Sequence, residues 1–333
     1  MEVMRMKLCK RIVPVLLVIL MLSTTAFAAG SINLSQDVKL TISYQDDAMP
    51  LAGAEFSIYL VASVDGNGEL TTEDTFKQFN VNIRGKNDAA LKVLATTLEG
   101  YVLRDNIAPT DSGKTNTNGY LSFPTGTERL TPGLYLVLGS RHTQGGFRYD
   151  ATPFMVMLPT QDAEKNEWIY DVLVSPKHDS SEIPDTPSTI TRKVLKVWDD
   201  ADNKNRPTEV IVQLLRNGEV YDTVTLNDDN NWRYTCSNLD DSYTWTVVEK
   251  ECEGYTVQIE RDGITFVIKN TYETNIPDNP TTNVPVPPDL TNPTPNNPSL
   301  PQTGQTWWPV PLLLMGGLSF IIVGLICRKR KGN

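Results

Sequence analysis

The stretch KVLKVWDD, residues 193–200, decides the fold of the C-terminal half of this sequence. Apolar and polar residues alternate along it, which is typical of a β-strand with one buried face. The face that carries Trp198 also carries a lysine, Lys196. Two later strands repeat the pattern, YTWTVVEK with Glu249 and TFVIKNTY with Asn270. Each of these strands therefore places one polar side chain among bulky apolar ones.

These three side chains suggest a chemical reaction if the fold buries them together. Burying them separately would be costly, because each would lose its hydration without gaining a partner. Burial favours a neutral lysine and a protonated glutamate. A neutral Lys196 amine could then attack the side-chain carbonyl of Asn270, while Glu249 polarises that carbonyl and passes its proton to the departing ammonia. The product would be an intramolecular Lys–Asn isopeptide bond.

Five segments extend this pattern over residues 193–273: KVWDD, RPTEVIVQLLRNG, NNWRYT, YTWTVVE and IKNTY. In this order they resemble the collagen-adhesin B-type (Cna-B) domain of surface proteins. The resemblance implies an immunoglobulin-like β-sandwich with an internal isopeptide bond. It also implies that Lys196 and Asn270 are the linked residues and that Glu249 is the acid that promotes the bond.

The N-terminal half is predicted to be rich in short strands separated by Gly and Pro turns, which favours an antiparallel sandwich. Residues 38–44 alternate between apolar and polar, with Lys39 on the polar face. A helical stripe interrupts the strands within residues 87–105, and we interpret it as a short insertion packed on the sheet edge. The stripe consists of Leu91, Leu94, Leu98 and Val102.

Three motifs of this half, GAEFSIYLVA, TNTNGYLSF and LTPGLYLV, resemble a pilin-type sandwich. In that family an acid would follow the last motif, where this chain has Leu138 and Gly139. Because Lys39 also points to the polar face, we expect no isopeptide bond in the first domain. The segment WIYDVLVSPKH resembles the pilin motif whose lysine accepts the next subunit, which implies that role for Lys177. The alternative is a solvated lysine at a domain boundary.

Both ends of the sequence carry targeting signals. Basic residues precede a short apolar run and an Ala-Phe-Ala site, so residues 1–28 are predicted to be a secretory signal peptide. Near the other end an LPQTG motif precedes an apolar run at 307–327, long enough to span a bilayer as a helix, and a basic tail. This order resembles a cell-wall sorting signal, which implies cleavage by a sortase after the Thr. The motif residues are Leu300, Pro301, Gln302, Thr303 and Gly304.

Composition narrows the function classes further. The formal net charge of −10 and the isoelectric point of about 4.8 argue against nucleic acid as a partner. The sequence contains no phosphate-binding loop, metal-spacing cluster or nucleophile elbow, so we predict no cofactor, no metal and no enzyme activity. Outside the predicted signals only Cys236 and Cys252 remain. They could pair outside the cell, or lie apart as two buried thiols.

The sequence thus predicts an all-β protein with two immunoglobulin-like sandwiches in tandem, the first with a short helical insertion, and a C-terminal transmembrane helix. The resemblances imply a sortase-anchored cell-wall protein, either a pilus subunit or a monomeric adhesin. Its partners would be a sortase, peptidoglycan and, for a pilus subunit, other pilins. The predicted segments are the signal peptide 1–28, a pilin-like domain 29–178, a linker 179–188, a Cna-B-type domain 189–275, a Pro-rich stalk 276–299 and the sorting signal 300–333.

Overall fold

The structure is a computed structural model that describes residues 30–84, 87–162, 165–201 and 206–272. The predicted signal peptide, stalk, LPQTG motif, transmembrane helix and basic tail all lie outside these residues. Among the described residues, no helix is both long enough and apolar enough to cross a membrane.

The described residues of the first domain form fifteen strands and two helices. Its strands are β1 Lys39–Ser43, β2 Gln45–Asp46, β3 Met49–Pro50, β4 Glu55–Val64, β5 Leu70–Thr72, β6 Asp111–Lys114, β7 Tyr120–Phe123, β8 Gly133–Gly139, β9 His142–Gln144, β10 Phe147–Ala151, β11 Phe154–Leu158, β12 Thr160–Asp162, β13 Glu167–Ile169, β14 Asp171–Val174 and β15 His178–Glu182. Its helices are α1 Asp74–Lys77 and α2 Asp88–Arg104.

Two sheets enclose the core of the first domain. One has the order β14-β1-β7, with β1 parallel to β14 and antiparallel to β7. The other has the order β11-β8-β4-β5, with β6 paired to β4. The predicted alternation of β1 is confirmed, since Leu40 and Ile42 are buried while Lys39 is exposed. Between the sheets lies an apolar cluster that includes Phe56 and Phe123.

Strand β15 covers part of the segment 179–188 that we interpreted as a linker. It pairs antiparallel with β10 over residues 178–182. This pairing gives the exposed β10 edge a partner, which is a physical reason for a polar segment to become a strand.

The second domain is also a sandwich. Its strands are β16 Thr189–Asp199, β17 Glu209–Arg216, β18 Glu219–Asn227, β19 Arg233–Asp240, β20 Trp245–Glu249, β21 Tyr255–Asp262 and β22 Thr265–Tyr272. One sheet has the order β19-β16-β22-β21 and the facing sheet has the order β18-β17-β20. Asn217 and Gly218 join β17 to β18 with φ values of 50° and 88°, as the tightest hairpin turn requires. The prediction of an all-β fold of two sandwiches with a helical insertion is confirmed.

Helix α2 is the insertion predicted from the leucine stripe. It begins where the Asn87 side chain accepts a hydrogen bond from the Ala90 N–H, at 2.8 Å. The helix lies not only at the sheet edge but also on the outer face of the sheet, within a cluster that includes Leu136 and Leu138 of β8. Its buried residues cover more than one side, as expected of a helix packed between two bodies.

Helix α2 packs on the second domain as well as on the first, so the two sandwiches share one continuous apolar cluster. Leu94, Leu98 and Val102 of α2 belong to it, together with Val247 and Val248 of β20 and Ile259 of β21. At its side, Arg148 donates to the main-chain and carboxylate oxygens of Asp241, both at 2.9 Å. The helix therefore joins the domains, which the sequence analysis did not predict.

A polar cavity of about 370 Å³ lies beside this contact. It is lined by Glu99 and Lys92 of α2, Asp150 of the first domain, and Arg192 and Arg261 of the second. Burial raises the pKa of Glu99 to about 7, with Arg261 acting against the shift and Asp150 adding to it. The domain contact therefore contains a carboxyl group that titrates near neutral pH.

Gly100→Ala is expected to weaken the domain contact. A Cβ atom at residue 100 would lie 2.5 Å from Val248 Cγ1 and 2.7 Å from Val247 O. Overpacking of this kind costs about 1–3 kcal/mol, whereas alanine gains only about 1 kcal/mol over glycine inside a helix. Urea unfolding should show the loss, and Gly126→Ala, whose Cβ would meet open space, is the control. Equal stabilities of the two variants would contradict the expectation.

Glu99 should make the free energy of unfolding depend on pH. Its pKa is raised in the folded chain, so its contribution is fully present below the ordinary value of 4.5 and is lost as the pH rises through about 7. Glu99→Gln should therefore flatten the decline in stability between about pH 5 and about pH 8. Denaturant titrations at each pH measure this, with exposed Glu167→Gln as the control. An unchanged slope in Glu99→Gln would disprove it.

Candidate functional site

The first and last strands of the second domain lie side by side, and this arrangement builds the site. Strand β16 runs parallel to β22, with Lys196 opposite Ile268 and Trp198 opposite Asn270. Glu249 is the last residue of β20 in the facing sheet. The side chains of Lys196, Glu249 and Asn270 therefore meet across the core of the sandwich.

Glu249 contacts both of the other residues. Its Oε1 accepts a hydrogen bond from Asn270 Nδ2 at 2.5 Å, and its Oε2 lies 3.0 Å from Lys196 Nζ. The exposed fractions are 4% for Lys196, 1% for Glu249 and 0% for Asn270. Apolar side chains such as Val247 surround the three. The site therefore excludes bulk water while keeping amine, carboxyl and amide in contact.

Burial shifts the ionisation of both titratable groups toward their neutral forms. It lowers the pKa of Lys196, although the nearby Glu249 carboxylate opposes the shift. It raises the pKa of Glu249, although Lys196 and the Asn270 hydrogen bond oppose the shift. Desolvation is the larger effect for each residue. The pair thus tends toward a neutral amine beside a protonated carboxyl.

The hydrogen bonding of these groups is incomplete. Among the described residues, Lys196 Nζ, Glu249 Oε2 and Asn270 Oδ1 are buried without a hydrogen-bond partner. Lys196 Nζ and Glu249 Oε2 are close enough for an ion pair but do not have hydrogen-bond geometry. Unpartnered buried polar atoms are costly. An amide bond between Lys196 and Asn270 would remove the buried amine and so relieve part of that cost.

Three further residues adjoin the site. Lys196 Nζ lies 4.3 Å from the centroid of the Trp198 ring, a contact that also places an aromatic wall beside the amine. Tyr101, on α2 of the first domain, donates its hydroxyl to the main-chain oxygen of Glu249 at 2.9 Å. Cys252 is close enough for Glu249 and Lys196 to influence its thiol, although burial is the main reason its pKa is raised. Of these three residues, the sequence indicated only Trp198 as a neighbour of Lys196, because both lie on the same strand face.

Cys236 and Cys252 are both free thiols. Cys236 is buried in β19, where burial raises its pKa to about 11, while Cys252 is partly buried beside the Lys196 site. Of the two arrangements left open by the sequence, the structure has the unpaired one. The described residues contain no group of three or more His, Cys, Asp or Glu side chains that could hold a metal ion.

Lys177 is not part of this site and lies between β14 and β15. Its side chain is exposed, while its main-chain oxygen accepts a hydrogen bond from the Thr152 N–H at 2.8 Å. The amine is therefore accessible on a backbone that strands hold on both sides. The sortase motif, Leu300 to Gly304, lies outside the described residues.

Two family models match the chain. The model of the Gram-positive pilin subunit D1, N-terminal domain, matches residues 33–179, and the model of the Cna protein B-type domain matches residues 192–271. The chain carries a pilin D1 domain and a Cna B-type domain. Lys177 lies near the end of the pilin D1 domain, and the Cna B-type domain contains Lys196, Glu249 and Asn270.

The chain is also similar to several individual proteins. A collagen adhesin of Staphylococcus aureus is 33% identical over 120 residues, a match that covers 35% of this chain and 9% of the adhesin. A B repeat unit of the S. aureus collagen-binding surface protein is 19% identical, covering 71% of this chain and 98% of that one at a TM-score of 0.25. The minor pilin GBS52 of Streptococcus agalactiae is 18% identical, covering 75% and 100% at a TM-score of 0.22.

Proposed function

We propose that this chain is a subunit of a Gram-positive surface pilus, anchored by a sortase and stabilised by an isopeptide bond between Lys196 and Asn270. The contact of Glu249 with both residues in a core shielded from bulk solvent is the observation that carries the proposal. The pilin D1 and Cna B-type domains support the same class of protein. The proposed site is structural, since its reaction occurs once within the chain.

The proposed reaction balances without an added reagent. The neutral Lys196 amine attacks the Asn270 side-chain carbon, and Glu249 donates a proton to the carbonyl oxygen. Glu249 then carries a proton from the attacking nitrogen to the departing amide nitrogen, which leaves as ammonia, and it takes back the proton of the carbonyl oxygen as the C=O bond re-forms. A new C–N bond replaces the old one, and no oxidant or reductant is consumed.

The bond would join β16 to β22, the first and last strands of the Cna B-type domain. Closing so long a loop stabilises a domain by roughly 4–5 kcal/mol if the entropy relation for disulfides applies. A pulling force would then pass through covalent bonds instead of the hydrogen bonds between the two strands. That property suits a subunit that carries load between a cell wall and a surface.

Lys177 gives this subunit a nucleophile for assembly. Its exposed amine would attack the acyl-enzyme that a sortase forms at Thr303 of another subunit, releasing the enzyme. Attachment of Thr303 to peptidoglycan instead would anchor the subunit to the wall. The alternative function is a monomeric wall-anchored adhesin, which the match to a collagen adhesin favours.

The folded protein should be lighter than its sequence mass by one ammonia. Intact mass spectrometry should find this deficit in the wild type and not in Lys196→Ala, Asn270→Ala or Glu249→Gln. Lys193→Ala is the matched control, because this exposed lysine lies on the same strand. A wild-type mass without the deficit would exclude the isopeptide bond.

Lys177→Ala should abolish polymer formation. Gel analysis of wall extracts should show a ladder of high-molecular-weight species for the wild type and a single species for the variant. Lys165→Ala removes another exposed lysine and should retain the ladder. A wild type that runs as a single anchored species would favour the monomeric adhesin.

A further inference from the structure

The first domain covers one open edge of each sheet of the second domain. Strands β20 and β21 are outer strands of their sheets. The Ile259 N–H of β21 donates to Thr97 Oγ1 of α2 at 2.8 Å, and the Val257 N–H donates to the main-chain oxygen of Asn80, also at 2.8 Å. At the end of β20, the Tyr101 hydroxyl donates to Glu249. The first domain thus satisfies edge groups that an isolated second domain would leave to water.

We propose that Tyr101 is a positioning residue for the crosslinking reaction, so that the isopeptide bond of the second domain forms efficiently only after helix α2 of the first domain has docked. This inference rests on the proposed crosslink between Lys196 and Asn270. In addition, it makes the crosslinking reaction of the second domain depend on the first domain.

The hydroxyl of Tyr101 restrains the main chain of Glu249. Glu249 is the last residue of β20, so the adjoining strand restrains its main chain on one side only. Tyr101 supplies a buried hydrogen bond at this strand end, and its ring stacks on Phe79 with 4.7 Å between centroids. A shift of the Glu249 main chain would move both carboxyl oxygens, and with them the contacts to Lys196 and Asn270. Small displacements of this kind reduce the rate of a positioned reaction strongly.

The docked helix also limits access of water to the site. A cavity of about 210 Å³ lies between the domains, lined by Phe79 and Tyr101 of the first domain and by Glu249 and Cys252 of the second. Without α2 this side of Glu249 would be open to solvent. Hydration would favour the charged forms of Lys196 and Glu249, which cannot carry out the reaction. The positioning of Glu249 by Tyr101 and the exclusion of water by α2 therefore both favour the crosslinking reaction.

Two substitutions separate the effect of the hydroxyl from that of docking. Tyr101→Phe retains the ring and its stacking but loses the hydrogen bond to Glu249. Gly100→Ala opposes docking itself, because of the close approach to Val248. Tyr135→Phe is the matched control, since it loses a hydroxyl bond of 2.7 Å to the Thr131 main-chain oxygen within the first domain.

The experiment follows bond formation in the full-length chain during folding. The chain is extracted into guanidinium before it has folded, so that the bond has not yet formed, and is then diluted into buffer. Samples are quenched at intervals, and intact mass spectrometry measures the loss of ammonia. Tyr101→Phe should react roughly fivefold more slowly, as expected from the loss of one hydrogen bond. Gly100→Ala should react more slowly still, and Tyr135→Phe at the wild-type rate. Wild-type rates in Tyr101→Phe and Gly100→Ala would overturn the inference and leave the crosslink intact, whereas a wild type that loses no ammonia would overturn both.

The pH dependence of the rate distinguishes positioning from a loss of folded protein. The reactive pair shares one proton, so the rate should form a plateau bounded by the two apparent pKa values of the pair. The described ionisable groups near Glu249 or Tyr101 include Lys196, Lys250, Cys252, Tyr255, Arg104, Asp105 and Glu251. Hydration of the site in Gly100→Ala should lower the plateau and move its two limits apart, because it stabilises the ion pair. A lower plateau with unchanged limits would indicate a reduced folded fraction and would overturn the inference.

Discussion

The burial of one amine, one carboxyl group and one amide in an apolar core is the constraint on which the second domain depends. None of the three groups would be stable there alone, because desolvation opposes the charged forms of Lys196 and Glu249. Together they contact one another, yet they leave buried atoms without hydrogen-bond partners. The arrangement is therefore poor as a permanent polar network and well suited to a reaction that converts amine and amide into one neutral link.

The sandwich architecture supplies the geometry that this constraint requires. The parallel pairing of β16 and β22 brings residues from the two ends of the domain onto neighbouring strands. The facing sheet contributes Glu249 from across the core. A link at this position joins the strands by which force would enter and leave the domain. Under the proposed function, stability and load bearing would follow from the same placement of side chains.

The contact between the domains extends the constraint beyond the second domain. Helix α2 belongs to the first domain in sequence, but its buried residues contribute to a core that both domains share. Gly100 permits the close approach, and Tyr101 uses it to reach the main chain of Glu249. The insertion is thus an element of the second domain's environment, and the pilin D1 domain and Cna B-type domain are structurally coupled.

Sequence by itself determined the strand faces of both domains, and therefore the polar side chains that enter the core. The two-residue period of a strand places Lys196, Glu249 and Asn270 on apolar faces without any knowledge of their neighbours, and a helical stripe likewise predicts α2. Such periods are local properties, so they reveal what faces inward but not what lies opposite. Only the tertiary structure decided that α2 packs on two domains, that residues 178–182 pair with β10, that Cys236 and Cys252 are unpaired, and that Tyr101 reaches Glu249. Each of these depends on contacts between distant parts of the chain, which no short stretch of sequence records.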